Sequence, residues 1–83
     1  MNKNKSKENI EWMLLEPRNE NGEASGIGTW GGHVYTIVVL QAGTCVATHQ
    51  FRGGEITVLV TGVDGHRAWR TVRDHCTAMQ HAA

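Results

Sequence analysis

Three segments between His33 and Thr61, HVYTIVVLQ, TCVATHQF and EITVLVT, are rich in β-branched and aromatic residues and are separated only by Ala42-Gly43 and by Arg52-Gly53-Gly54. Such residues favour extended backbone, and a parallel crossover needs a dozen or more residues that these links lack. The spacing therefore predicts three consecutive antiparallel strands joined by tight hairpins. With Ala42 and Gly43 as the central turn residues, Val38 faces Ala47, Thr36 faces His49 and Val34 faces Phe51. With Gly53 and Gly54 in the next turn, Phe51 faces Ile56, His49 faces Val58 and Ala47 faces Val60.

Cross-strand partners share a face and successive side chains alternate, so this register sorts every residue. One face holds Val34, Thr36, Val38, Leu40, Cys45, Ala47, His49, Phe51, Ile56, Val58 and Val60, and reads as the core. The other holds Tyr35, Ile37, Val39, Val46 and Leu59 among polar neighbours. That second face is too apolar for a surface that meets only water, and it reads as a partner-binding surface.

After Thr61 the apolar period lengthens to that of a helix. Trp69, Val72, Cys76 and Met79 form one stripe with Ala68 at its margin, suited to cover the core face. Either Asp64 as N-cap or a capping box from Thr61 to Asp64 would start this helix. Its opposite side carries His66, Arg67, Arg70, Arg73, Asp74, Thr77 and His81.

Upstream, Ile10, Trp12 and Leu14 alternate as a strand does, while Ser6 and Pro17 would equally bracket a short helix. The strand is the reading preferred. Residues 1–8 are polar and lysine-rich and read as a flexible tail, and RNENGEASG reads as a loop. The expected architecture is α+β, one domain over residues 9–83, with a three- to four-stranded antiparallel meander and one C-terminal helix on one face.

The stretch GIGTWG, residues 26–31, has the spacing G-x-G-x-x-G of a dinucleotide-binding turn. Its context is wrong for that chemistry. Such a turn follows a buried strand and opens a helix, whereas here a polar loop precedes Gly26 and a strand follows Gly32. The glycines read instead as backbone freedom at a bulge or bend around Trp30, which either packs on the sheet or stands as a binding anchor.

Five histidines and two cysteines in 83 residues raise the question of zinc. Cys45 and His49 lie four residues apart on a strand, about 13 Å, far more than two ligands of one ion allow. A site from Cys45, His49 and Cys76 would have to form inside the core, where two buried, reduced thiols are the simpler outcome. The same burial argues against a Cys-His nucleophile, which needs an open, electropositive setting. His49 reads as a core histidine bonded to Thr36 or to backbone. No enzyme, no cofactor and no metal are expected.

Lys plus Arg equals Asp plus Glu at 8 each, so attraction to nucleic acid would have to come from a local patch. Arg67, Arg70 and Arg73 on the helix form the one candidate. The order of elements, strands followed by a single helix, resembles that of the Whirly-like single-strand DNA-binding coactivators. That resemblance implies contacts through basic and aromatic residues of the sheet, for which Arg52 and Tyr35 are the matching positions.

The N-terminal residues lead into no secretory apolar run, and VYTIVVL is far short of the ~20 residues of a membrane span. A cytoplasmic protein with no membrane contact is expected. The function expected is that of a non-enzymatic protein-binding module, a homodimer or the holder of a protein partner through Tyr35, Ile37, Val39, Val46, Leu59 and Trp30. Small, neutral, motif-free chains of this kind occur among phage and mobile-element products that inhibit a host protein by occupying a surface. The alternative is a nucleic-acid accessory protein using the arginine face.

Overall fold

The structure, a computed structural model, describes residues 10–14, 24–40 and 43–82. Five strands follow one another: β1 Glu11–Leu14, β2 Gly26–Trp30, β3 His33–Val39, β4 Cys45–Phe51 and β5 Thr57–Val63. Each pairs antiparallel with the next, and helix α1, Gly65–Ala82, closes the chain. This is the expected α+β meander with one helix, enlarged to five strands. The tail at residues 1–8 and most of the loop at 18–26 lie outside the described residues.

The added strand, β2, lies where glycines suggested a bend. Glycine weakens a strand unless something must approach the backbone closely, and here that something is Trp12. A Cβ on Gly26 would stand 2.5 Å from the Trp12 ring, and one on Gly28 equally close to Trp12 and Ile10. The indole therefore lies against bare β2 backbone. Its ring meets Trp69 of α1 edge-on, with centroids 5.0 Å apart, a contact that adds about 1 kcal/mol to the area it buries. Gly31 and Gly32, at φ 55° and 90°, form the two-residue turn that joins Trp30 to its partner His33. The nucleotide-like spacing is thus a bed for a tryptophan followed by a hairpin turn.

The β3–β4 register differs from the expectation by one residue. Ile37, not Val38, pairs with Ala47, and Val39↔Cys45 is the last pair. The cause is the connection: Leu40 N–H donates to Thr44 C=O, and Gly43 N–H to Leu40 C=O, so Leu40 is matched with Thr44 and not with Cys45 as a two-residue Ala42-Gly43 turn would have it. Because side chains alternate, that single step turns β3 over. Tyr35, Ile37 and Val39 join Cys45, Ala47 and His49 on the covered face, and Val34, Thr36 and Val38 join Val46, Thr48 and Gln50 on the other.

Beyond β4 the turn is also displaced. Arg52 and Gly53 are its central residues, both left-handed at φ 50° and 75°, with Gly54 N–H donating to Phe51 C=O. Ala47↔Val60 pairs as expected, but register shifts flank it, since Thr48 meets Val58 and Cys45 meets Val63. Leu59 and Gly62 are the extra residues of two bulges. The bulges bring Leu59, Val60 and Val63 to the core and leave Val58 outward, 57% exposed.

Helix α1 packs on β3, β4 and β5. Ala68, Val72 and Cys76, spaced by four, are its buried line, flanked by half-buried Trp69 and Met79, so Ala68 lies at the centre of the stripe and not at its margin. With Tyr35, Ile37, Cys45 and Ala47 they make the core. Asp64 Oδ1 accepts from Arg67 N–H at 2.8 Å, which makes Asp64 the N-cap, while Thr61 stays in β5. Asp64→Ala is expected to cost about 1 kcal/mol, seen as a fall of roughly 4–8 °C in Tm by thermal denaturation.

Candidate functional site

The face of the sheet turned away from α1 carries one continuous row of side chains. Register partners line up across all five strands as Met13, Ile27, Thr36, Thr48 and Val58. Beside this row stand Val34, Val38 and Val46. Met13 is 62% exposed and Val38 37%, and among the described residues no element packs over them. By alternation Leu40 and Ile56, both exposed, extend the same surface at two strand ends. Among the described strand positions on this face, Glu11 alone carries a charge, and it sits on the edge strand β1.

The residues expected to form a partner surface are therefore mostly elsewhere. Tyr35 is 0% exposed and Ile37 is buried, both beneath α1. Val39, Leu59 and Trp30 pack against the core from its margin. Val46 alone of that set lies on the open face. The correction has one cause for β3, its reversed orientation, and another for Leu59, the bulge.

On the covered side, next to the core, aromatic rings gather at one end of the sheet. His33 Nδ1 and His49 Nε2 are hydrogen-bonded at 2.9 Å, one ring donating and the other accepting. His75 of α1 stacks at a tilt on His49, centroids 4.4 Å apart, and its Nδ1 is hydrogen-bonded to the Tyr35 hydroxyl at 2.9 Å. Trp30 and Phe51 contact the His33 ring at 5.5 and 4.5 Å. His49 is thus bonded to a histidine and not to Thr36, whose side chain is on the other face.

Burial, then the neighbouring His75 and further positive groups, push both His33 and His49 below the ordinary imidazole range. Burial also pushes the Tyr35 hydroxyl and the Cys76 thiol up, so both stay protonated. Cys45 and Cys76 are buried thiols in the core. Among the described residues no three of His, Cys, Asp or Glu are arranged to hold a metal ion.

The arginines Arg67, Arg70 and Arg73 are all exposed on α1. Arg70 Nη2 donates to His66 Nε2 at 3.0 Å, and exposed Asp74 follows Arg73 directly. The basic face is real but narrow. Tyr35, the aromatic that a Whirly-like mode of binding would present from the sheet, is inside the protein.

Fold and surfaces together define a small α+β protein with a five-stranded antiparallel meander, one helix on one face and an opposite face of apolar and threonine side chains whose one described strand charge is Glu11. No protein-family model, curated protein or solved structure matches the chain. Among the described residues no helix is long and apolar enough to cross a membrane.

Proposed function

We propose that the protein is a non-enzymatic protein-binding module that works through the open face of its sheet, and that its first partner on that face is a second copy of itself. The observation that carries this reading is the uninterrupted row from Met13 to Val58, flanked by Val34, Val38 and Val46 and free of charge away from Glu11.

A surface with no charge pattern offers nothing for an opposite charge to complement. It meets its own image across a two-fold axis without like-charge repulsion. Thr36 and Thr48, at the middle of the row, supply hydroxyls that pair with one another across such an axis. Five strands spaced about 4.8 Å apart, each presenting about 17 Å of length, give a patch of roughly 400 Å² before its flanks. That is below the ~800 Å² per partner of a standard interface and falls in the size class of weak, transient associations. The non-enzymatic part of the reading is supported by the burial of both thiols and by the protonated state that burial imposes on Cys76.

Sedimentation velocity over a concentration series is the test. Dimer is expected to grow in with concentration, and Val38→Glu is expected to raise Kd at least about tenfold while the circular dichroism spectrum is kept, because a charge would be buried at the interface. Arg70→Glu, on the far side of the molecule, is expected to leave the association intact. A wild-type protein that stays monomeric at about 100 µM would refute self-association. The open face would then belong to a foreign protein, recognisable as a partner lost on Val38→Glu and kept on Arg70→Glu.

A further inference from the structure

We propose that His33, His49 and His75 form a proton-operated latch between helix and sheet: with His33 and His49 uncharged the junction ties α1 to β3 and β4, and with both charged it lets the helix go. The geometry carries the inference. His33 and His49 come from adjacent strands and are joined nitrogen to nitrogen at 2.9 Å, and such a bond needs one ring with a hydrogen and one with a lone pair. Two imidazolium rings have no lone pair to offer. Full protonation therefore converts the bond into a contact between two donors of like charge.

His75 transmits the change to α1. It stacks on His49, and it is fixed by the Tyr35 hydroxyl, which comes from the strand that also carries His33. Among the described residues, the groups that face the junction offer no compensation. From β3 they are His33 and Tyr35, from β4 His49, from α1 His75 and Cys76, and from the turn after β4 Arg52. Trp30 and Phe51 wall the His33 ring, and Thr57 of β5 is the register partner of His49. Among the described residues, the charged groups that act on His33 are His75 and Arg52 and those that act on His49 are His75 and His33, all positive when ionised and none a carboxylate.

The direction of the pH dependence follows. Both strand histidines bind protons less readily in the folded chain than in the unfolded one. As pH falls through the ordinary imidazole range near 6.5, the unfolded chain takes up protons that the folded chain refuses, so stability declines with acid. The decline ends below the lowered folded-state values, where both states are charged. Release of α1 lays bare Tyr35, Ile37, Cys45 and Ala47 on the sheet and Val72 on the helix, an apolar surface distinct from the open face.

Two measurements on the full chain test the latch. Imidazole nitrogen NMR of the wild-type protein is expected to show His33 and His49 titrating below the ordinary range, with a hydrogen bond between their nitrogens at neutral pH. Denaturant titrations are expected to show the folding equilibrium constant falling about tenfold from pH 7.5 to 5. The double variant His33→Asn, His49→Gln places neutral amides where the two bonded nitrogens stand. It is expected to flatten that pH dependence and to keep stability at pH 7.5 within a few-fold. A double variant that folds and retains the full tenfold fall would overturn the proposal. If the variant does not fold, the wild-type titration decides alone, and ordinary, independent values for His33 and His49 would reject the latch.

Discussion

Gly28→Val is expected to remove most of the protein's stability and bring it close to its unfolding midpoint at room temperature. A Cβ at this position already stands 2.5 Å from both Trp12 and Ile10, and valine adds two methyl groups to it. Trp12 has nowhere to go: on one side is β2 backbone, and on the other Trp69 at 5.0 Å. The substitution either forces the indole out of the core or separates β1 from β2. Overpacking costs about 1–3 kcal/mol, and losing the tryptophan contact with Trp69 adds about 1 more. A domain of 83 residues has a total stability of only about 4–12 kcal/mol, and one this small belongs near the lower end. Gly31→Asn is the control, since nothing lies within 4 Å of a Cβ there and asparagine tolerates the left-handed backbone at φ 55°. Denaturant titration followed by tryptophan fluorescence should separate the two variants by several kcal/mol; a Gly28→Val protein as stable as wild type would contradict the close fit.

Tyr35→Ala is expected to be comparably damaging, by about 3–5 kcal/mol, whereas Thr36→Ala beside it should cost less than about 1 kcal/mol. The contrast isolates the orientation of β3. Tyr35 is among the largest fully buried side chains, and its hydroxyl is held by His75. Thr36 looks out from the open face, with Ile27 and Thr48 as its neighbours across the strands. In the register that a two-residue Ala42-Gly43 turn would impose, the two residues exchange places, and so would the two stability losses. Urea unfolding of both variants measures the difference; a tolerated Tyr35→Ala with a damaging Thr36→Ala would restore the shorter turn.

Those two residues also show where reading a sequence stops. The identity of β3, β4 and β5 was legible, because β-branched residues in runs broken by glycine leave the backbone little choice. Helix α1 was legible too, from Asp64 as a cap and from apolar residues at spacings of three and four, although its centre falls on Ala68. Strand β2 was hidden by its own glycines. Gly26 and Gly28 lower strand propensity, and the reason for their presence is a tryptophan at least fourteen residues earlier in the chain. The histidine junction was hidden for a related reason. With β3 turned over, His33 stands on the same face as His49, two residues from its register partner Tyr35, and neither position announces the other.

Local chemistry by itself therefore determined that β3, β4 and β5 are strands and α1 a helix, that these strands pair in chain order and that β4 presents Cys45, Ala47 and His49 to the core. What only the tertiary structure decided is which way β3 and β5 face. A strand reads equally well from either side when both faces are apolar, as in VYTIVV, so alternation alone cannot choose between them. The choice was made by the pairing of Leu40 with Thr44, by the bulges at Leu59 and Gly62, and by the fit of Tyr35 and Ile37 beneath Val72 and Cys76. The last of these joins distant parts of the chain, and its energy exists only once the helix lies on the sheet.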